Sequence, residues 1–305
     1  MGMRVQALPL QPVDLPAQPA WLLHLDCDGL RQTVFGQFIL IELEKPEVQA
    51  KLEMFQSLFS FDPRKQLHAV TLYSTGKATE DGLLLIYADF DADKLDTLAK
   101  SAKGYESSSH KSHTIHSWLD EKRRAKDGSK ARNYAAIFGN RVVFGQRAAR
   151  VADALDVLDG RVALLSTSDP LVQFGNGVNA SFLVGAARKL DFPSSDPNAA
   201  ILKLSKLFRM QLGEKEGQLN GAVYLEANDA DVAQSMASIG QGLISLMKLQ
   251  NEKPEAVKLA EALALKQDGS TVVVHCTLAT DEVVSWIKKT HKKSEKKVSD
   301  EKADK

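Results

Sequence analysis

The sequence predicts an α+β protein: two similar halves of antiparallel hairpins, each followed by helices, with the helices covering one face of the sheet. Three observations carry this. Apolar residues alternate with polar ones in short runs that come in pairs. Helical patterns with acidic starts follow those pairs. The order of these parts recurs, so that residues 20–160 and 161–290 read as two repeats of one unit, flanked by a Pro-rich arm (1–19) and a charged tail (291–305).

In the arm, Pro9, Pro12, Pro16 and Pro19 favour an extended path with little packing. Trp21–Cys27 then reads as a strand, with Leu23, Leu25 and Cys27 on one face. Asp28 is placed to cap a helix that starts near Leu30, with Leu30, Val34, Phe38 and Ile41 at spacings of three and four. Pro46 interrupts it, and a second helix spans Glu47–Phe59. Phe61-Asp62-Pro63 is a turn. His68–Ser74 and Leu83–Asp89 form a hairpin, and Asp91 caps a helix through Lys100. Thr114–Trp118 is a further strand, followed by a charged loop over Asp120–Arg132. Tyr134–Phe138 and Arg141–Phe144 pair around Gly139-Asn140, and the helix Ala148–Leu158 closes the half.

The second half begins with a strand at Ser181–Ala187 and a helix at Asn198–Leu207. Phe208–Leu212 and Leu219–Ala227 form a hairpin, and Asp229 starts a long helix through Leu249. Another helix starts at Pro254. Ala264–Lys266 and Thr271–Leu278 pair around Asp268-Gly269, and the helix Asp281–Thr290 ends the half. The repeat shows best where Asp91-Ala92-Asp93 matches Asp229-Ala230-Asp231. Both triplets follow the second strand of a hairpin, and their carboxylates suit the free N–H groups and positive dipole end of a new helix. The connection over 160–179 is no evident flexible linker, which favours a continuous or closely abutting sheet over two lobes.

Composition excludes several classes. Lys+Arg and Asp+Glu are equal at 39 each, so no global field draws nucleic acid or an anionic membrane. No apolar run approaches the roughly 20 residues of a spanning helix. The start of the chain shows no apolar signal core, and the arm fits either a flexible tail or the remainder of a removed export signal. Lys288–Lys305 holds eight lysines and four acids and is expected to be a solvated, disordered tail. Cys27 and Cys276 show no redox or zinc spacing. They read as two buried thiols, with a disulfide between them as the alternative.

Phe61-Asp62-Pro63-Arg64-Lys65-Gln66-Leu67 with Val70-Thr71-Leu72, then Asp89-Phe90-Asp91, resembles a group of uncharacterised bacterial proteins that are usually predicted to be exported. Pro254–Leu265, Gly269 and Val272–Val274 fit the C-terminal part of that pattern. The resemblance spans about residues 20–290. It implies a duplicated α+β fold and an extracytoplasmic or periplasmic setting, with no activity and no functional residues attached.

Few residues suggest chemistry. His110, His113 and His116 are the one cluster of metal-ligand type. On a single extended strand His110 and His116 share a face, which makes them weak metal candidates beside the reading of an exposed polar strand. The basic run Lys122–Lys126 lacks interleaved aromatics, so it reads as a solvated loop rather than a nucleic-acid site. Gly175-Asn176-Gly177 reads as a turn. Gly240 and Gly242 lie in a helical pattern and suggest close packing against a neighbour. No nucleophile elbow, zinc-protease signature or EF-hand is present, and Asp89, Asp91 and Asp93 serve capping better than calcium. No cofactor is expected.

The sequence therefore predicts a non-catalytic binding or structural protein, with a protein or an apolar small molecule as partner. The alternatives are a carrier that holds a lipid-like ligand between sheet and helices, and an enzyme of unrecognised type. Phe35, Phe38, Phe55 and Phe59, with Phe61, are the residues expected to line an apolar pocket if one exists.

Overall fold

A computed structural model describes residues 7–125, 128–175, 178, 180–188, 203–250 and 253–290. The strands are β1 (Trp21–Asp26), β2 (Leu67–Ser74), β3 (Gly82–Ala88), β4 (Glu106–His110), β5 (His113–Arg124), β6 (Lys130–Phe138) and β7 (Arg141–Gly145), then β8 (Ser181–Arg188), β9 (Ser205–Lys215), β10 (Gln218–Ala227), β11 (Leu263–Asp268) and β12 (Thr271–Ala279). The helices are α1 (Cys27–Arg31), α2 (Val34–Leu43), α3 (Pro46–Phe59), α4 (Pro63–Gln66), α5 (Ala92–Ser101) and α6 (Ala148–Leu158), then α7 (Ala230–Lys248), α8 (Pro254–Ala262) and α9 (280–290). Among the described residues no helix is long and apolar enough to cross a membrane.

The twelve strands of the described residues form one open sheet in the order β11-β12-β10-β9-β8-β1-β2-β3-β7-β6-β5-β4. Every pairing is antiparallel. The halves meet where β1 runs against β8, from Trp21↔Ala187 to Leu25↔Leu183. Counting outward from this seam, β1-β2-β3-β7-β6 on one side corresponds in chain order to β8-β9-β10-β12-β11 on the other. The β6–β7 turn places Gly139 at φ 59° and the β11–β12 turn places Gly269 at φ 55°. A Cβ at either position would be strained.

Local chemistry sets the helix starts. Asp91 accepts a hydrogen bond from Lys94 N at 3.1 Å to cap α5. Asp229 accepts one from Val232 N at 2.8 Å to cap α7. Each satisfies an N–H group that the helix itself cannot. The first crossover differs from the expected path. Asp26, not Asp28, caps α1, accepting from Gly29 N at 2.7 Å. Asp28 instead binds Arg31 and His68. The chain then breaks before Val34, and Thr33 caps α2. Gly36 is required there, since a Cβ would sit 1.8 Å from the Leu30 carbonyl oxygen. The expected loop after Asp120 is largely a hairpin, because β5 continues to Arg124 and β6 begins at Lys130. Residues 198–202 of the helix expected at Asn198–Leu207 lie outside the described residues, and Ser205 already begins β9. The tail 291–305, and the Asn176-Gly177 part of the expected turn, also lie outside them.

A row of directly opposed residues crosses the sheet on one face: Val223, Met210, Gly185, Leu23, Leu72, Leu84, Phe144, Ala135 and His116. On this face α7 packs Ala233, Met236 and Ala237 over Leu225 and Val272. Helices α3 and α5 stand over its other end. The helix α6 lies on the opposite face, because its apolar stripe, Val151, Ala154 and Leu155, meets Leu83, Leu85 and Val143.

From residue 7 onward the arm is packed, with a 3-10 turn over Pro12–Asp14, a difference from the loose extended path its prolines suggest. Leu15 is fully buried in the α6 core, with Leu8 and Leu10 against it. Leu165 N donates to Leu15 O (2.9 Å) and Ala17 N to Ala163 O (3.0 Å). Asp14 accepts from Tyr87 Oη at 2.8 Å and lies 3.1 Å from Arg141 Nε. Prolines set the backbone path, and the leucines between them supply the burial. Replacing Leu15 by Ala should cost about 2–5 kcal/mol in denaturant unfolding. A change near zero would show that the arm is not part of the fold.

Candidate functional site

The run Leu83–Ile86 is apolar at every position, as expected for a strand buried on both faces. Leu83 and Leu85 fill the α6 core, so Leu84 and Ile86 must be covered from the other side. The cover is α3 and α5, and they do not close on the sheet. Between them and β3, β5, β6 and β7 lies a chamber of about 560 Å³.

Its floor is Leu84 and Ile86 from β3, Val142 and Phe144 from β7, Ala135 and Ile137 from β6, and Trp118 from β5. Leu95, Leu98 and Ala99 of α5 form one wall. The roof is aromatic. Phe55 and Phe59, one turn apart on α3, stack with centroids 4.4 Å apart, and Phe61 meets Phe55 edge-on at 5.2 Å. Both arrangements are favourable geometries for aromatic pairs, and the four-residue spacing brings the first pair together. No residue of α3 is fully buried. Leu58 lines the chamber yet is 51% exposed, which puts it at the mouth.

Among the described residues, and apart from the Trp118 indole, two polar side chains line the space, His116 and Ser101. The Ser101 hydroxyl donates to Leu98 O at 2.7 Å. His116 is 6% exposed. Its Nδ1 lies 3.1 Å from Tyr105 Oη and its Nε2 3.7 Å from Asp96 Oδ1. Burial lowers the pKa of His116, opposed by the nearby Asp96 carboxylate.

Of the phenylalanines expected to line a pocket, Phe55 and Phe59 lie in this roof, with Phe61. Phe35 and Phe38 lie elsewhere. Phe35 stacks on Phe182 of β8 at 6.5 Å, and Phe38 lies under Lys288 Nζ at 5.3 Å. The cause is the start of α2, where Val34 N and Phe35 N donate to the Glu214 carboxylate (3.0 and 2.8 Å) and hold the helix against the other half. Trp118, Ile137 and Phe144 were not expected at a site. Their only signal was apolar residues on a second face of strands already buried on the first.

The histidines separate. Lys111 adopts φ 56° and turns the chain, so His110 of β4 pairs with His113 of β5. His110 reaches Asp156 of α6 (3.0 Å) and His113 reaches Asp159 just after its end (3.0 Å), while His116 enters the chamber on the other face. A single strand would have aligned His110 with His116; the hairpin turn reverses that alternation. Among the described residues no group of three or more His, Cys, Asp or Glu is placed to hold a metal.

Cys27 and Cys276 are both free, and burial pushes the Cys27 thiol up to about 11. Such a thiol is a poor nucleophile at neutral pH. Gly242 faces open space, so close packing does not explain it.

No protein-family model matches the chain, and no curated protein matches it. Solved structures do. Crystal form III of TP0453, from Treponema, is 10% identical with a TM-score of 0.51, covering 92% of this chain and 98% of that one. Crystal form I of TP0453 is 9% identical with a TM-score of 0.44, covering 93% and 98%. The likeness to form III shows a shared fold.

The burial of His116 has a pH signature. Its folded pKa lies below the ordinary 6.5, so between those two values the unfolded chain binds the proton that the folded chain does not. Stability contributed by this site falls as pH falls through that window. His116→Gln should therefore lose less stability than the wild type between pH 7 and pH 5, measured by urea unfolding at each pH. Identical slopes would contradict the burial of an uncharged imidazole.

Proposed function

We propose that this protein is a non-catalytic carrier that encloses an apolar, lipid-like molecule in the chamber between α3, α5 and the sheet, and that it works outside the cytoplasm. The chamber carries the reading. Small-molecule sites typically enclose roughly 300–1000 Å³. The chamber falls within that range, and its walls are almost wholly apolar. The exposed, half-packed α3 supports a roof that can move to admit a ligand. Against catalysis, Ser101 spends its hydroxyl on a carbonyl, and among the described residues no other nucleophile lines the chamber beside His116. The extracytoplasmic setting rests on the resemblance carried by residues 61–72 and 89–91. The matching strand order about the β1–β8 seam, with capped helices at Asp91 and Asp229, supports reading the halves as copies of one unit.

Two measurements test this. Native mass spectrometry of protein purified from its own host should show a retained apolar molecule. The neutral probe N-phenyl-1-naphthylamine should bind the wild type and quench Trp118. Ala135→Phe, which fills the floor, should weaken that binding at least tenfold without lowering the melting temperature by more than a few degrees. Equal binding by the variant would remove the chamber as the site. Cell fractionation that recovers the protein only in the cytosol would remove the export reading.

A further inference from the structure

At its start β2 slips its pairing with β3 by one residue. Leu67 faces Ala88 and Ala69 faces Tyr87, so His68 has no partner across the ladder. A bulge of this kind re-aims the extra side chain. The His68 ring stands between two carboxylates. Its Nδ1 lies 2.9 Å from Asp28 Oδ2 in α1, and its Nε2 lies 3.0 Å from Asp89 Oδ2 just after β3. An ionised carboxylate accepts and cannot donate, so both contacts are hydrogen bonds only when both ring nitrogens carry a proton. This arrangement is therefore that of the imidazolium.

The chain leaves the sheet after β1, carries the roof helix α3 and returns at β2, with Asp28 and His68 at the two ends of this excursion. Asp89 opens the segment that carries Phe90 and α5, which line the chamber. Resting on the carrier reading, we propose that His68 is a proton-operated latch that joins the roof-bearing excursion to the wall helix and slows the escape of a bound molecule. Loss of one proton leaves a single N–H for two carboxylates. Asp28 keeps it, because that side chain is 4% exposed and water cannot replace the bond, whereas Asp89 is 66% exposed. Asp89 N still donates to Gln66 O at 2.9 Å, so the wall stays joined to α4 while its link to α1 is lost.

The other charged groups around the ring are engaged or turned outward. Arg31 of α1 binds Asp28, and Asp26 at the end of β1 accepts from Gly29 N at 2.7 Å. On α4, Arg64 pairs with Asp62 at 2.9 Å and Lys65 is exposed. Asp91 caps α5, and the Cys27 thiol, pushed up to about 11 by burial, stays protonated. Desolvation lowers the pKa of His68, but its hydrogen bonds to Asp28 and Asp89 outweigh this, and the net displacement is upward. The stability supplied by the latch is fully present below the ordinary 6.5 of the unfolded chain and is lost as pH rises through the higher folded value. His116 is displaced the other way, so the two titrations occupy separate windows.

Nitrogen NMR of the full chain, with His68→Gln to assign the ring, should show both His68 nitrogens protonated at pH 6 and a titration midpoint above 6.5. Stopped-flow release of N-phenyl-1-naphthylamine should be at least about threefold faster at pH 8.5 than at pH 6. Asp89→Ala, at an exposed position, should release the probe at the fast rate at both pH values. Asp89→Asn should release it at the slow rate at both, because an amide can accept from a protonated ring nitrogen or donate to a bare one. A bare ring nitrogen on His68 at pH 6 overturns the latch, whatever the release rates. Wild-type release that does not change with pH, or a wild-type profile in Asp89→Ala, overturns its hold on the chamber and leaves the carrier reading standing. Failure of the probe to bind at any pH overturns the carrier reading and this proposal with it.

Discussion

Trp21 to Leu25 of β1 lie antiparallel to Leu183 to Ala187 of β8, and this ladder turns two sets of hairpins into one sheet. Its strands are about 160 residues apart in sequence, so closing it carries a loop-entropy cost. Side chains on both sides offset that cost. Leu22 and Phe182 are buried beside it. His24, in the middle of β1, is buried with both ring nitrogens engaged: Nδ1 lies 2.8 Å from Thr71 Oγ1 and Nε2 2.9 Å from Leu8 O. One imidazole thus ties the seam strand to β2 and to the arm. Burial holds its pKa down, in keeping with a neutral ring in a satisfied core.

The two faces beyond the seam are treated differently. On one, the arm, α6 and the 163–174 connection interlock, and Leu15, Leu155 and Leu171 have no exposed surface. On the other, α3 is fixed at its ends more than along its length. Pro46 starts it, where a missing N–H costs nothing. Ser60 ends it in the left-handed conformation at φ 59°. Asp62 then accepts from Arg64 N and pairs with the Arg64 guanidinium at 2.9 Å, pinning the following turn. A helix held at its ends and bearing aromatic residues at one-turn spacing can bridge a gap that shorter side chains would have to fill.

Charge plays a local part. With equal numbers of acids and bases the chain carries no formal net charge. Carboxylates instead fix geometry at short range. Asp81 receives Arg147 (2.9 Å) and Arg150 (3.0 Å) and anchors α6 to the start of β3. Asp169 takes Arg188 at 2.6 Å and fixes the connection to β8. The chamber lies between the sheet on one side and α3, none of whose residues is fully buried, and α5 on the other.

Antiparallel hairpins, the acidic caps at Asp91 and Asp229, the glycine turns at 139 and 269 and the helix Ala148–Leu158 were legible in the sequence, because each depends on residues within a few positions of one another. Phe55, Phe59 and Phe61 were legible as an aromatic group for the same reason. The sequence did not reveal that Phe35 turns away toward β8, that Leu15 is core, that His116 parts from His110, or that Trp118 and Phe144 share a floor with Leu84. Those outcomes depend on strand order, on one turn residue at Lys111, and on how far a roof helix stands from a sheet. Local periodicity says which side of a strand is apolar, but only the packed arrangement decides whether that side meets a side chain or an empty space.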